Sequence, residues 1–282
     1  MNHPIQPMIL TQDLSAVGKL SLSAALPIYA AAQVPVALLP TALLSTQTEG
    51  FGTPVQLSTH HWLQQTLNQW QTQGLHFSGI SVGYLGDINL FPILINFISR
   101  QKLPLVIVDP VLGDNNQLYP QLNEAFISKM LQLCQWADVI TPNWTELQLL
   151  IGTQALVAHP SWSQVQNSIL LLDQMLKHHT NIIVTGIPAN QAVTTIWQFN
   201  QQFHRQNSSI RPGHFYGSGD VFTAVLGTLL WHKLDFNQAV TLAIQEIGRA
   251  LDDTIATNYE RRFGISLKQL LKDLSNFSFK KC

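Results

Sequence analysis

The sequence predicts an α/β fold of three layers, with a central, mostly parallel sheet between helices. Two observations carry this. Short apolar runs rich in Val and Ile alternate with longer stretches whose apolar residues recur at helical spacing, the pattern of successive βαβ units. The 282 residues are 46% hydrophobic and contain no repeat and no low-complexity linker, so one domain spanning residues 1–282 is expected.

The elements follow in order. Residues 7–10 read as the first strand and 19–32 as the first helix. No charge occurs between Lys19 and Glu49, but Pro27, Pro35, Pro40 and the polar Gln33 interrupt that stretch. A helix followed by a strand at 36–39 therefore explains it better than a membrane span. Strands at 77–82, 105–109, 139–141 and 181–185 then alternate with helices at 59–71, 88–99, 123–134, 144–150 and 163–177. Residues 192–205 break the alternation and read as two strands turning at Asn200 and Gln201. Helices at 221–231 and 236–256 close the chain. Trp62 and Trp70 read as core. In sheets of this kind ligands bind beyond the carboxyl ends of the strands.

Composition narrows the function. Charged residues are 11% of the chain and the formal net charge is -1, so no long-range field gathers nucleic acid or anionic lipid. Neither a polyanion partner nor a membrane is expected. Cys134 and Cys282 lie in no CxxC or Cys/His spacing, which excludes a disulfide framework and a zinc site and suits a reducing compartment. Asp13 precedes the first Lys, at position 19, so no export signal is read and a cytoplasmic location is expected.

The sharpest motif is Gly217, Ser218, Gly219 and Asp220, followed at once by an apolar helical stretch. Two glycines let a ligand approach the backbone, and the unpaired first-turn amides with the helix dipole favour an anion. Asp220 would stand beside a bound phosphoryl group, where a carboxylate can take the proton of an attacking hydroxyl. Composition gives roughly 0.04 chance occurrences of Gly-x-Gly-Asp in a chain of this length. A second cluster begins at a strand end with Asp109, Gly113 and Asp114. A third runs through Thr141 and Asn143 to Glu146, an amide and a carboxylate on one face of a helix start. Asn143 and Glu146 also have the spacing of a capping box. Taken together, the three motifs at strand ends and a helix start favour phosphate and magnesium handling. No Walker loop, Rossmann glycine motif or protein-kinase catalytic loop occurs. The pairs His60-His61 and His178-His179, like Lys19, read as solvated surface.

Taken in order, the segments Asp13 to Lys19, Ala25 to Pro27, Leu43 to Thr48, Gly83 to Gly86, Asp109 to Asp114, Thr141 to Glu146, Thr185-Gly186 and Gly217 to Asp220 resemble the pyridoxal kinases of the ribokinase-like superfamily. The resemblance runs almost end to end. It implies a ribokinase-like three-layer fold and ATP-dependent phosphorylation of the 5′-hydroxymethyl group of a vitamin B6 form. It implies that Ser15, Thr48 and Tyr84 hold the pyridine ring, that Asp220 is the base, and that Gly217, Ser218 and Gly219 form the anion hole. Asp109, Asn143, Glu146 and Thr185 match positions around ATP. Asp109, Thr141, Glu146 and Thr185 match positions for Mg²⁺ and a monovalent cation, K⁺ or Na⁺. Asp114 and Tyr119 match a flap over the nucleotide, and a homodimer is implied.

Three positions depart from the family pattern. Gln47 stands where His is common, Glu49 where Gly is usual, and Ser218 where Thr is commoner. The Ser-Gly-Gly-Ala-Gly segment of related hydroxymethylpyrimidine kinases is absent, which counts against that alternative. A catalytically silent vitamer-binding paralogue is a further alternative, opposed by the intact Asp220 and Glu146.

Overall fold

The computed structural model describes residues 5–176 and 180–279. Up to Asp87 the elements are β1 (Met8–Thr11), β2 (Leu14–Ser15), α1 (Leu22–Ala31), β3 (Val36–Leu38), β4 (Ala42–Leu44), β5 (Gln56–Ser58), α2 (His60–Thr72) and β6 (Gly79–Val82). There follow α3 (Leu90–Gln101), β7 (Val106–Val108), β8 (Gly113–Asp114), β9 (Gln117–Leu118), α4 (Glu124–Cys134), β10 (Val139–Ile140), α5 (Trp144–Leu150) and α6 (Trp162–Met175). The chain closes with β11 (Asn181–Ala189), β12 (Ala192–Phe199), β13 (Gln202–Ser209), α7 (Ser218–Trp231), α8 (Phe236–Ala256) and α9 (Lys268–Asn276). The fold is α/β with a large, mostly parallel sheet, as the alternation of apolar runs predicts.

The chain forms two compact units. The first takes in the chain up to Asp87, Lys102–Leu105 and the chain from Arg211 onward. Within it β3, β1 and β6 pair in parallel, with Met8 opposite both Val36 and Gly79. The β1 and β6 residues are buried to a man of them, which is why they read as continuous apolar runs rather than alternating ones. Helix α1 packs on α7, α7 on α8, and α9 on both α8 and α1. From Val221 to Leu229 every residue of α7 is buried, so this helix is the centre of the unit's core. Each such Leu or Val contributes about 1.5–3 kcal/mol relative to exposure. A separate small sheet, β2-β4-β5, stands in the same unit.

The second unit holds Ile88–Gln101 and Val106–Ile210. Here β7, β10 and β11 run parallel, and β11, β12 and β13 form an antiparallel meander. Its core is built from β7 and β10 with Leu94, Met130, Leu133, Leu147 and Ile169.

Some expectations are corrected. Trp62 is 48% exposed on α2 rather than in the core, whereas Trp70 is half-buried against Phe77, with ring centroids 5.0 Å apart. Helix α7 begins at Ser218, three residues before the apolar run signals it. His178, His179, Lys177 and Cys282 lie outside the described residues. Among the described residues no helix is long and apolar enough to cross a membrane.

Candidate functional site

The predicted acceptor-side residues all fall in the first unit. Gly217 is the N-cap of α7 with φ 78°, a left-handed conformation that glycine adopts without strain. A Cβ there would lie 3.1 Å from Leu20 Cγ and 3.4 Å from the Lys19 carbonyl oxygen, so the turn sits hard against residues 19 and 20. No side chain caps α7, and helical geometry leaves its first amides without intrahelical partners. Asp220, in the first turn, accepts a hydrogen bond on Oδ2 from the Ser21 backbone N–H at 2.9 Å. This contact joins positions 199 apart in sequence.

Ser15 and Tyr84 surround a residue that sequence reasoning passed over as a site, Asp13. The Ser15 hydroxyl donates to Asp13 Oδ2 at 3.3 Å, and the Ser21 side chain also favours the charged form of that carboxyl. Burial pushes the Asp13 carboxyl up, and the two serine side chains oppose that shift. The Tyr84 hydroxyl is pushed up to about 12 by burial and by the Asp13 carboxylate, so it stays a hydrogen-bond donor at neutral pH. Thr41 holds the Tyr84 carbonyl oxygen at 2.9 Å. Lys19 is half-buried rather than freely solvated, with its ammonium 5.0 Å from the Tyr259 ring centroid.

Thr48 is exposed on the loop that Ser45 and Val55 close by two hydrogen bonds. Its neighbour Gln47 is 5% exposed and donates from Nε2 to the Arg262 carbonyl oxygen at 2.5 Å. Glu49 faces His214 at 3.9 Å, and Phe51 meets the Phe263 ring edge-on. The unusual Gln47 and Glu49 therefore tie this loop to two later segments of the same unit.

In the second unit the residues that the resemblance assigns to the nucleotide lie around the start of α5. Asn143 and Glu146 form a capping box: Asn143 Oδ1 accepts from the Glu146 N–H at 2.9 Å, and Glu146 Oε2 accepts from the Asn143 N–H at 2.8 Å. Glu146 Oε1 accepts from the Leu112 N–H at 3.1 Å, and Asn143 Nδ2 donates to the Gly113 carbonyl oxygen at 2.8 Å. Strands β8 and β9 form a hairpin whose Asn115 and Asn116 have φ 51° and 59°, the two left-handed positions of a tight turn. Asp114 lies in that hairpin, and the Tyr119 N–H donates to Leu112 just beyond it. The Asn116 N–H also donates to Thr145 Oγ1, pinning the hairpin to α5. Thr185 pairs with the turn before α5, its N–H donating to Pro142, at a register shift of β11. Thr141 is buried where β10 ends.

Glu146 and Asp109 are both buried. Burial first, then the Asp109 carboxylate, pushes Glu146 well above the ordinary carboxylate range, against the two backbone amides that favour its charge. Among the described residues no three His, Cys, Asp or Glu are grouped to hold a metal unaided. Two buried acids that repel one another suit a divalent cation that keeps waters and phosphate oxygens as its other ligands, the habit of Mg²⁺.

The family profile described as phosphomethylpyrimidine kinase matches residues 22–263. A pyridoxal kinase structure from Lactobacillus plantarum is 35% identical, with TM-score 0.91, covering 96% of this chain and 97% of that one. A Bacteroides thetaiotaomicron structure, described as a candidate phosphomethylpyrimidine kinase and containing pyridoxal, is 29% identical with TM-score 0.87, covering 96% of each chain. A pyridoxine/pyridoxal/pyridoxamine kinase from Bordetella avium is 26% identical over 267 residues, 86% of this chain and 84% of that protein. The match to a Schizosaccharomyces pombe relative is shorter, spanning 45% of that protein's length at 26% identity.

Proposed function

The chain belongs to the phosphomethylpyrimidine kinase family, and from that membership we propose that it transfers the γ-phosphoryl group of ATP to the 5′-hydroxymethyl of a vitamin B6 form, pyridoxal, pyridoxamine or pyridoxine. The observation that carries the reading is Asp220 in the first turn of a helix without a side-chain cap, its carboxylate held by the Ser21 N–H at 2.9 Å. A carboxylate there can receive the proton of the acceptor hydroxyl while the amides of Ser218 and Gly219 neutralise charge on the transferred group. Helical geometry points these amides out of the helix end, and the left-handed Gly217 leads the chain into it.

Ser15, Thr48 and Tyr84 supply the ring contacts in this reading. The Tyr84 hydroxyl keeps its proton at neutral pH, so it donates to a ring acceptor. Asp109, Asn143, Glu146 and Thr185 serve ATP, with Asp114 and Tyr119 in the hairpin that covers it. Mg²⁺ would be held by Asp109, Thr141, Glu146 and Thr185, with K⁺ or Na⁺ nearby, and it supplies charge neutralisation on the phosphates. The cytoplasmic location and homodimer are likewise proposals, supported by the resemblance and by a cysteine usage that suits a reducing compartment.

The test is one Mg-ATP assay in which pyridoxal, pyridoxamine, pyridoxine and 4-amino-5-hydroxymethyl-2-methylpyrimidine compete. Phosphorylated vitamer as the dominant product supports the proposal. Dominant phosphorylation of the pyrimidine assigns the chain to the activity in the family's description, and vitamer binding without ADP release assigns it to a silent binding protein.

A further inference from the structure

We propose that Ser21 is the positioning residue for Asp220: its backbone N–H, turned by a left-handed conformation, holds Oδ2 and so aims the carboxylate at the acceptor hydroxyl. The inference rests on the reading of Asp220 as the base. Ser21 has φ 46° and ψ -125°, and the Ser23 N–H donates to the Leu20 carbonyl oxygen at 3.0 Å, closing a four-residue turn with Ser21 as its first central residue. That position of a type II′ turn is one glycine favours and other residues rarely adopt. A strained non-glycine residue that persists next to a reacting group points to a role in the site. The turn is pinned on two sides. The Lys19 N–H donates to Phe263 at 2.8 Å, and Leu20 packs against the missing Cβ of Gly217. The Ser21 side chain favours the charged form of the buried Asp13, which gives serine, rather than glycine, a reason to be there. One residue thus acts on two carboxylates, Asp13 through its side chain and Asp220 through a backbone hydrogen bond.

The donor can be removed without altering the side chain by incorporating the α-hydroxy acid analogue of serine at position 21, which replaces the amide by an ester. The expected result is a kcat at least about tenfold lower, with KM for pyridoxal and ATP within about threefold of the unsubstituted chain, as for a group felt in the transition state alone. Ser21→Gly retains the donor and tolerates the backbone, so its kcat lies well above that of the ester chain. Ser21→Val retains the donor but resists the conformation, and its kcat falls about as far as the ester's with KM again unchanged. A kcat for the ester chain within about twofold of the unsubstituted chain overturns the inference, as does a parallel loss in kcat, in KM and in melting temperature. An unsubstituted chain that phosphorylates no vitamer fails earlier, at the kinase reading, and takes this inference with it.

Discussion

Asn143 and Glu146 bind one another from both sides, each side chain accepting the other's backbone N–H, at 2.9 and 2.8 Å. The two residues are therefore a helix cap, while Glu146 alone also forms a buried acidic pair with Asp109, and its two roles can be pulled apart by charge.

Burial and Asp109 hold Glu146 above its ordinary 4.5 in the folded chain. The folded state then binds this proton more tightly than the unfolded one, so the associated stability is present at low pH and is lost as pH rises from about 4.5 through the raised value. The slope is at most about 1.4 kcal/mol per pH unit for one proton. Melting curves of nucleotide-free chain from acid to neutral pH should show a falling midpoint, and Glu146→Gln should flatten it. Identical slopes in the two chains would mean that Glu146 keeps its proton balance on unfolding. In the Mg-ATP assay the same variant should lose activity, because the neutral amide can serve the cap but brings no negative charge to hold Mg²⁺.

Asp220→Ala should lower turnover by ~10² to 10⁴, the range for a positioned base, while ATP binding changes little. The variant also leaves the part-buried Ser21 N–H without this acceptor, so the melting temperature should fall, by an amount in keeping with about 1–3 kcal/mol. Single-turnover rates with pre-bound ATP check this, and an unchanged rate would remove Asp220 from the role.

Gly217→Ala tests the turn that exposes the first amides of α7. A Cβ at φ 78° is strained, and it would press on Leu20 Cγ at 3.1 Å and on the Lys19 carbonyl oxygen at 3.4 Å. The conformational strain alone is about 1–3 kcal/mol, and relief would displace the first amides of α7, the proposed anion hole. Lower stability together with a fall in kcat is expected. A stable, fully active alanine variant would show that the turn's shape is not needed.

How much of this was legible in the sequence follows from element length and from sequence separation. Strands such as β1 and β6 are short continuous apolar runs because both faces are covered, and helices α5 and α8 match the predicted 144–150 and 236–256. Strands β2, β8 and β9 have two residues each, too few for any period to show, so the small sheet and the hairpin went unread. Helix α9 also went unread, although Leu270 and Leu274 bury one side of it. The motif residues were visible because each cluster is local. Asp13 and Ser21 were not assigned to the site, since the Ser21 contact to Asp220 spans the chain and leaves no mark in local spacing.

Gln47 separates two ways in which the loop that carries Thr48 could depart from its relatives. Its buried amide donates to the Arg262 carbonyl oxygen at 2.5 Å, so it serves as an anchor for the loop that carries Thr48. Gln47→Ala removes one hydrogen bond, a net loss of about 0.5–1.5 kcal/mol, and loosens the loop. The vitamer KM should then rise about three- to tenfold with kcat nearly unchanged, because an interaction made equally in the ground and transition states is lost. Gln47→Glu is the sharper variant. It keeps the size but turns an acceptor toward an acceptor, leaving a carboxylate beside a carbonyl oxygen in a buried setting, so it should be less stable than the alanine variant. Melting temperatures in the order Gln, Ala, Glu, with the vitamer KM rising in the same order, are expected. If Gln47→Glu binds vitamer as the unsubstituted chain does, the amide is not the anchor and the side chain's place beside Thr48 must be explained by contact with the ring itself.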